Sequence, residues 1–343
     1  MSAATAPAEG ARARRLTEWV FRVRELGIIV VLGLLIAVTA IIEPRFIEAD
    51  SLRNLALNAS IFAILAAGQT LVLVTRNVDL SVGSVLGLSA YFAGDLLSAH
   101  PGMPLPVVFV LGMALGAACG LLNGVLVTWG QVPALVVTLG TLYAFRGLAF
   151  LWTDGRQVNA ETLPDSFLNL GSDSVAGIPI LVLIALVVLV IIGQWLRDYR
   201  AGRELYAIGS NPEGARLAGV RSGRRVLTAF VLSGMLAGLG GVLFTARFGT
   251  VDATAGTGYE LTVIAAAVVG GVAIFGGTGS VYGAALGALL LGTITSSLIV
   301  LRVEAFWQQA AIGALLLIAI AFDRLVGLRV DAALRRRSAR RVA

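Results

Sequence analysis

The chain has 343 residues, 57% of them hydrophobic and only 13% charged, with a mean hydropathy of +0.89, where soluble domains carry about 25% charged residues. Its 26 basic residues include no lysine, which excludes a Walker-type phosphate loop, whose lysine must reach the β/γ-phosphates. One histidine, His100, and one cysteine, Cys119, supply neither a zinc site nor an intrachain disulfide, so no catalytic centre, metal or cofactor is expected.

A membrane-spanning helix takes about 20 mostly apolar residues. In chain order the hydropathy predicts ten: 27–42, 53–74, 81–99, 104–128, 133–152, 177–196, 226–246, 260–275, 281–301 and 305–325. An Arg-rich segment, 1–26, precedes this 27–325 membrane domain, and a basic tail, 326–343, follows it. The leader is long and no small-residue cleavage site follows 27–42, so a cleaved signal peptide is not expected. With the N-terminus inside, the cytoplasmic segments hold 20 arginines, counting Arg324 with the tail. The outer segments hold five (Arg45, Arg53, Arg156, Arg247 and Arg302), and Arg146 lies within a span. Cytoplasmic loops are the arginine-rich ones. The expected fold is therefore an all-α polytopic bundle of about ten transmembrane helices with both termini cytoplasmic. The same asymmetry explains the isoelectric point of about 10.2 through the lipid bilayer, without nucleic acid.

Gly112, Gly116, Gly120 and Gly124 recur every fourth residue in the fourth span, and Gly279, Gly283 and Gly287 do so at the ninth. Such stripes let helix backbones approach closely, and packing is their expected role. A short echo joins Gly83-Ser84-Val85-Leu86-Gly87 to Gly279-Ser280-Val281-Tyr282-Gly283; internal repeats are common in transporters. Ionisable residues inside a bilayer are costly. Asp95 and Arg146 fall at similar depth in the third and fifth spans, which is compatible with an intramembrane pair, with snorkelling side chains, or with contact to a solute. Asn58, Gln69, Asn123, Thr138 and Thr141 either line a polar translocation route or bond neighbouring helices. Asp95 is nearly alone among embedded carboxylates, with Glu260 near a span end. That weighs against an ion-gradient-driven secondary carrier, and so little chemistry weighs against a membrane-embedded enzyme.

The 197–225 segment is the one sizeable cytoplasmic loop between spans. Asn211 is a favoured N-cap, Pro212 suits the first helical position, and Gly219 suits the left-handed residue after the last turn. Ser210 and Glu213 alternatively have the spacing of a capping box. A helix this short is marginal alone in water, so either a docking partner or the lipid headgroups must support it.

These residues also carry a resemblance. Gly68-Gln69-Thr70-Leu71-Val72 through Asp79-Leu80-Ser81-Val82-Gly83, Val132-Pro133-Ala134-Leu135 through Arg146-Gly147, and Tyr206-Ala207-Ile208-Gly209-Ser210-Asn211-Pro212-Glu213 through Gly219 resemble, in order, three motifs of bacterial ABC sugar-import permeases. Gly270-Gly271 through Gly279 extend the match, which spans about residues 43–325. The chain departs from the first motif at Asn77-Val78, where the family usually has Gly-Ile. Within the family it looks like the ribose, rhamnose and autoinducer-2 branch, with Leu151-Trp152-Thr153 and Glu304-Ala305-Phe306-Trp307-Gln308 leaning toward the rhamnose and autoinducer-2 members. The resemblance implies a permease subunit, not an enzyme, that pairs with a second permease chain. A solute-binding protein would deliver a monosaccharide or related solute, and separate ABC ATP-binding subunits would hydrolyse ATP. It implies that Glu213 and Arg216, with Ala215 between them, serve partner coupling, while Asn211, Pro212 and Gly219 set the helix ends. An amino-acid-specific permease of the same architecture is the nearest alternative.

Overall fold

The computed structural model describes residues 26–304 and, beyond them, 306–311, 313, 314, 317, 318 and 321. The leader up to residue 25, the far part of the tenth span and the 326–343 tail lie outside the described residues.

In chain order the helices are α1 (Leu26–Ile42), α2 (Ala49–Leu73), α3 (Val82–Ala99), α4 (Leu105–Thr128), α5 (Ala134–Thr153), α6 (Asp165–Ser172), α7 (Ile180–Asp198), α8 (Arg200–Ser210), α9 (Pro212–Leu217), α10 (Ser222–Phe248), α11 (Tyr259–Val269) and α12 (Val281–Val300). Residues 306–311 are again helical. Among the described residues α2, α3, α4, α5, α7, α10 and α12 are long and apolar enough to cross a membrane, and α1 and α11 are shorter. Each of the first nine expected spans thus has a helix, and the described residues of the tenth are helical. A two-residue antiparallel pair, β1 (Ser174–Val175) with β2 (Ile178–Pro179), caps the α6–α7 connection.

The eighth span is corrected. Hydropathy carries it to residue 275, but the helix stops at Val269. Beyond it Gly271, Gly276, Gly277 and Gly279 take positive φ, so the apolar run Val272–Phe275 lies in a turn. Backbone conformations open to glycine end the helix where composition shows no change.

α2 forms the axis of the bundle: from Ala59 to Leu73 only Phe62 is not buried. It packs against α7, α10, α11 and α12. The α4 stripe meets a matching one on α10. A methyl on Gly116 would strike the Gly234 carbonyl, one on Gly234 the Gly116 carbonyl, and one on Gly120 the Phe230 carbonyl. The stripe therefore sets a close backbone contact, the device small residues provide between membrane helices. In the ninth-span series Gly283 and Gly287 face Gly270 and Ala266 of the α11 end, whereas Gly279 lies in the preceding turn at φ 146°. At one end of the bundle Tyr91, Leu97, Val108, Phe167 and Val242 build a second apolar cluster beneath α6.

Candidate functional site

At one end of the bundle three chain segments converge: the turn after α2, the α8–α9 junction, and the 276–279 turn. α9 is capped as its residues predict. Asn211 sits at φ −152° and its Oδ1 accepts from Gly214 N at 2.9 Å, Pro212 opens the helix, and Gly219 has φ +80°. The capping-box alternative is not formed, because Ser210 Oγ donates to Gly277 O at 3.4 Å. Ala215 is buried, while Leu217 on the opposite face is 82% exposed. Glu213 and Arg216 pair across one turn at 3.1 Å with both side chains in solvent.

What holds α9 in place is long-range. Arg76 donates through Nε to Gly209 O and through Nη2 to Ser210 O at 3.0 Å, so a guanidinium occupies the C-terminal carbonyls of α8, where cations are favoured. Arg76 does this from φ +66°, a conformation costly for a residue with a Cβ. Gly277 N donates to Val74 O at 2.9 Å, and Tyr206 Oη donates to Gly279 O at 2.8 Å; burial pushes the Tyr206 phenol well up. On the other side of α8, Glu204 bridges Arg200, at 2.7 Å, and Arg225 of α10. Hydrogen bonds from Arg200 and then Arg225 hold its carboxyl below the usual range.

The 74–81 turn leads into a buried polar knot. The Gln69 side-chain amide pairs with the Asp79 backbone, donating to O and accepting from N at 3.2 Å each. Asp79 Oδ1 accepts from Ser81 N at 2.9 Å and Ser81 Oγ at 2.7 Å, and Asn123 Nδ2 donates to Ser81 Oγ at 2.8 Å. Thr138 Oγ1 reaches Val78 O at 3.2 Å and Ala134 O at 2.8 Å, and Thr141 Oγ1 reaches Thr138 O at 3.4 Å. Gln69, Asn123 and Thr138 are fully buried. Gln69, Asn123 and Thr138 thus bond across to the 78–81 turn, whereas Thr141 bonds within its own helix. Asn58 stands apart on α2, with a buried Oδ1 that has no hydrogen-bond partner among the described residues.

The Asp95–Arg146 pair is not made. No ion pair joins them among the described residues; Arg146 Nη1 instead donates to Ala253 O at 2.8 Å and Ala255 O at 2.6 Å. Equal depth did not bring the two side chains together, because α5 turns Arg146 toward the coil between α10 and α11.

The profile of the family described as branched-chain amino acid transport system / permease component matches residues 51–320. The chain belongs to this family. The permease is 37% identical over 313 residues to the autoinducer 2 import system permease protein LsrC of Escherichia coli K12/DH10B, covering 91% of this chain and 90% of that one. It is 37% identical to the LsrC of Photorhabdus luminescens over 88% of this chain and 89% of that one, and 39% identical to that of Salmonella choleraesuis over 82% and 80%. No solved structure matches the chain.

Two features of the permease were missed in its sequence. The Arg76 clamp joins residues 133 and 134 positions apart, and nothing local to Arg76 points to α8. The Ala253 and Ala255 carbonyls that receive Arg146 belong to backbone, which carries no residue-type signal at all.

Proposed function

We propose that the permease carries an autoinducer-2-type or monosaccharide solute inward as the membrane subunit of an ATP-driven importer, paired with a second permease chain and fed by a solute-binding protein. The observation that carries this reading is the capped, clamped α9: six residues too short to persist alone in water, fastened from behind by Arg76 and Tyr206 and presenting Leu217, Glu213 and Arg216 outward. An ATP-binding subunit docked there moves α8 and α9 together, and the Arg76 clamp passes that motion to α2 and α3. This end of the bundle is the cytoplasmic one on this reading. The exposed α5 face, with Val136, Leu139 and Tyr143 beside the open Gly140 and Gly147, meets the second permease chain, and the route runs between them. Autoinducer 2 is the solute in the names of the LsrC relatives.

The test is purification of the tagged permease from its native membrane in mild detergent, mass spectrometry of its companions, and uptake by the reconstituted assembly. A stoichiometric ATP-binding subunit and ATP-dependent uptake of autoinducer 2, ribose or rhamnose are expected. ATP-dependent uptake of leucine alone returns the amino-acid reading. Uptake by the lone chain that ends with an uncoupler makes it a secondary carrier.

A further inference from the structure

The backbone between α10 and α11 descends into the membrane without forming a helix. α10 ends at Phe248, where Gly249 turns left-handed at φ +66°. Its depth scale can be transferred to α3, because a Cβ on Gly241 would lie 2.5 Å from Leu86 O and 2.8 Å from Ala90 N. Gly241 is seven residues short of Phe248, about 10 Å at 1.5 Å per residue. The coil goes deeper still: the Ala255 carbonyl lies against Gly87 and the Gly256 carbonyl against Gly83, one turn further along α3. Residues 255–256 therefore sit about 15 Å below the end of α10, well inside a hydrocarbon layer about 30 Å thick.

From near the outer end of the bundle, where Val251 pairs with Val158 over Gly94 of α3, down to that depth, the segment shows polar groups outward. Asp252, Thr254, Thr257 and Gly258 are exposed, and Glu260 is half-buried. Arg146 holds the coil through the Ala253 and Ala255 carbonyls. Exposed irregular backbone does not face lipid, since no water there satisfies its amides and carbonyls; it is tolerated only inside protein or along a water-filled cavity.

We propose that this face, formed by Asp252, Thr254, Thr257 and Glu260 and held by Arg146, is a solute-binding station for a small uncharged polyhydroxylated molecule, with its mouth near the outer end of the bundle and its floor halfway across the membrane. It rests on the import reading above and places the solute within it. Thr254 Oγ1 donates to Asp252 Oδ1 at 2.7 Å and Thr257 Oγ1 to Thr254 O at 2.6 Å, so both hydroxyls, like the two carboxylates, offer acceptor lone pairs to a solute, and the station matches a molecule rich in hydroxyl donors. Two carboxylates against one guanidinium, whose Nη1 is already engaged, disfavour an anion. An aliphatic amino-acid side chain would find hydroxyls and carboxylates on these four residues.

Single cysteines test this in a Cys119→Ser background, using the reconstituted complex. T254C and T257C are compared with L186C and I191C, exposed apolar positions on α7, for reaction with a charged water-soluble methanethiosulfonate. Reaction at Thr254 and Thr257 at least about tenfold faster than at the α7 sites, slowed by millimolar ribose, rhamnose or autoinducer 2 and not by leucine, is expected. The double variant T254V/T257V should lower uptake about tenfold, and T254S/T257S, which keeps both hydroxyls and their bonds within the coil, should restore it. Reaction no faster than at Leu186, which places the face against lipid or the second permease chain, overturns the station; so does fast reaction that none of the three solutes slows. Failure of the import reading shows separately, as uptake by the unsubstituted complex that does not require ATP.

Discussion

Glycine's two uses in this chain separate at the residue scale. On α4 the missing side chain is a matter of space: at Gly116 a methyl meets the Gly234 carbonyl and the Gly238 backbone, neither of which can swing aside. Overpacking of this kind costs about 1–3 kcal/mol. G116A should therefore lower the thermal midpoint of the purified permease by several degrees. G33A, on α1 where nothing lies within 4 Å, should leave it level or slightly raised, because alanine favours helix. Equal midpoints for the two variants would remove the packing role. Arg76 is the converse case, a side chain held at φ +66° where glycine would be free. R76G relieves about 1–3 kcal/mol of backbone cost and gives up two hydrogen bonds from a charged group worth about 1.5–3 kcal/mol each, so stability should fall by no more than a few kcal/mol. Transport per ATP hydrolysed should nevertheless fall severalfold, because the tie between α9 and α2 is cut. A variant that transports with unchanged stoichiometry would make the clamp purely structural. The glycine stripe was legible because its four-residue spacing is local. The Arg76 clamp was not, because it depends on where a residue more than 130 positions away comes to lie.

Among the elements, α9 was legible nearly residue by residue, since Asn211, Pro212 and Gly219 act on their own backbone. The half-length of α11 was not, because Val272–Phe275 are as apolar in a turn as in a helix. Partner contact can be read separately from stability on α9. Glu213 and Arg216 are almost fully in solvent, and such pairs contribute little to stability, so E213R should leave the chain in the membrane at its normal level. A large fall in copurified ATP-binding subunit or in uptake would then report docking, and unchanged uptake would reject that role. α8 carries a pH dependence of definite sign. The Glu204 carboxyl is held below its ordinary value of 4.5 by Arg200 and Arg225, so it binds fewer protons folded than unfolded. Its contribution is fully present above about pH 5 and is lost as pH falls through the depressed value. Protection from hydrogen exchange in 200–225, relative to the intrinsic rate at each pH, should fall below pH 4.5 in the unsubstituted chain. In E204Q it should be low already at pH 7 and change little with acid; identical profiles would show that the bridge holds nothing.

Over the whole molecule the arginine asymmetry read along the chain becomes a separation in space. Arg76 meets α8 at Gly209 and Ser210, and Glu204 on that helix binds Arg200 and Arg225, so those arginines share one end of the bundle with α9. At the other end Arg247 Nη2 meets Asn54 Oδ1 at 2.6 Å, near Arg53. Hydropathy supplied the number and order of helices, and charge supplied the two ends, because both depend on composition over long stretches and not on single contacts. Which end faces the cytoplasm follows from the arginine count alone, and it decides whether α9 can meet an ATP-binding subunit. In the Cys119→Ser background, L217C on α9 should react with an impermeant maleimide only after the cells are opened. D165C, at the start of α6, should react in intact cells. The reverse pattern would put α9 outside, out of reach of any cytoplasmic ATPase, and the ATP-driven reading would fall with it. Reaction of both in intact cells would mean that the chain crosses an even number of times between α6 and α9, against the single crossing that α7 provides.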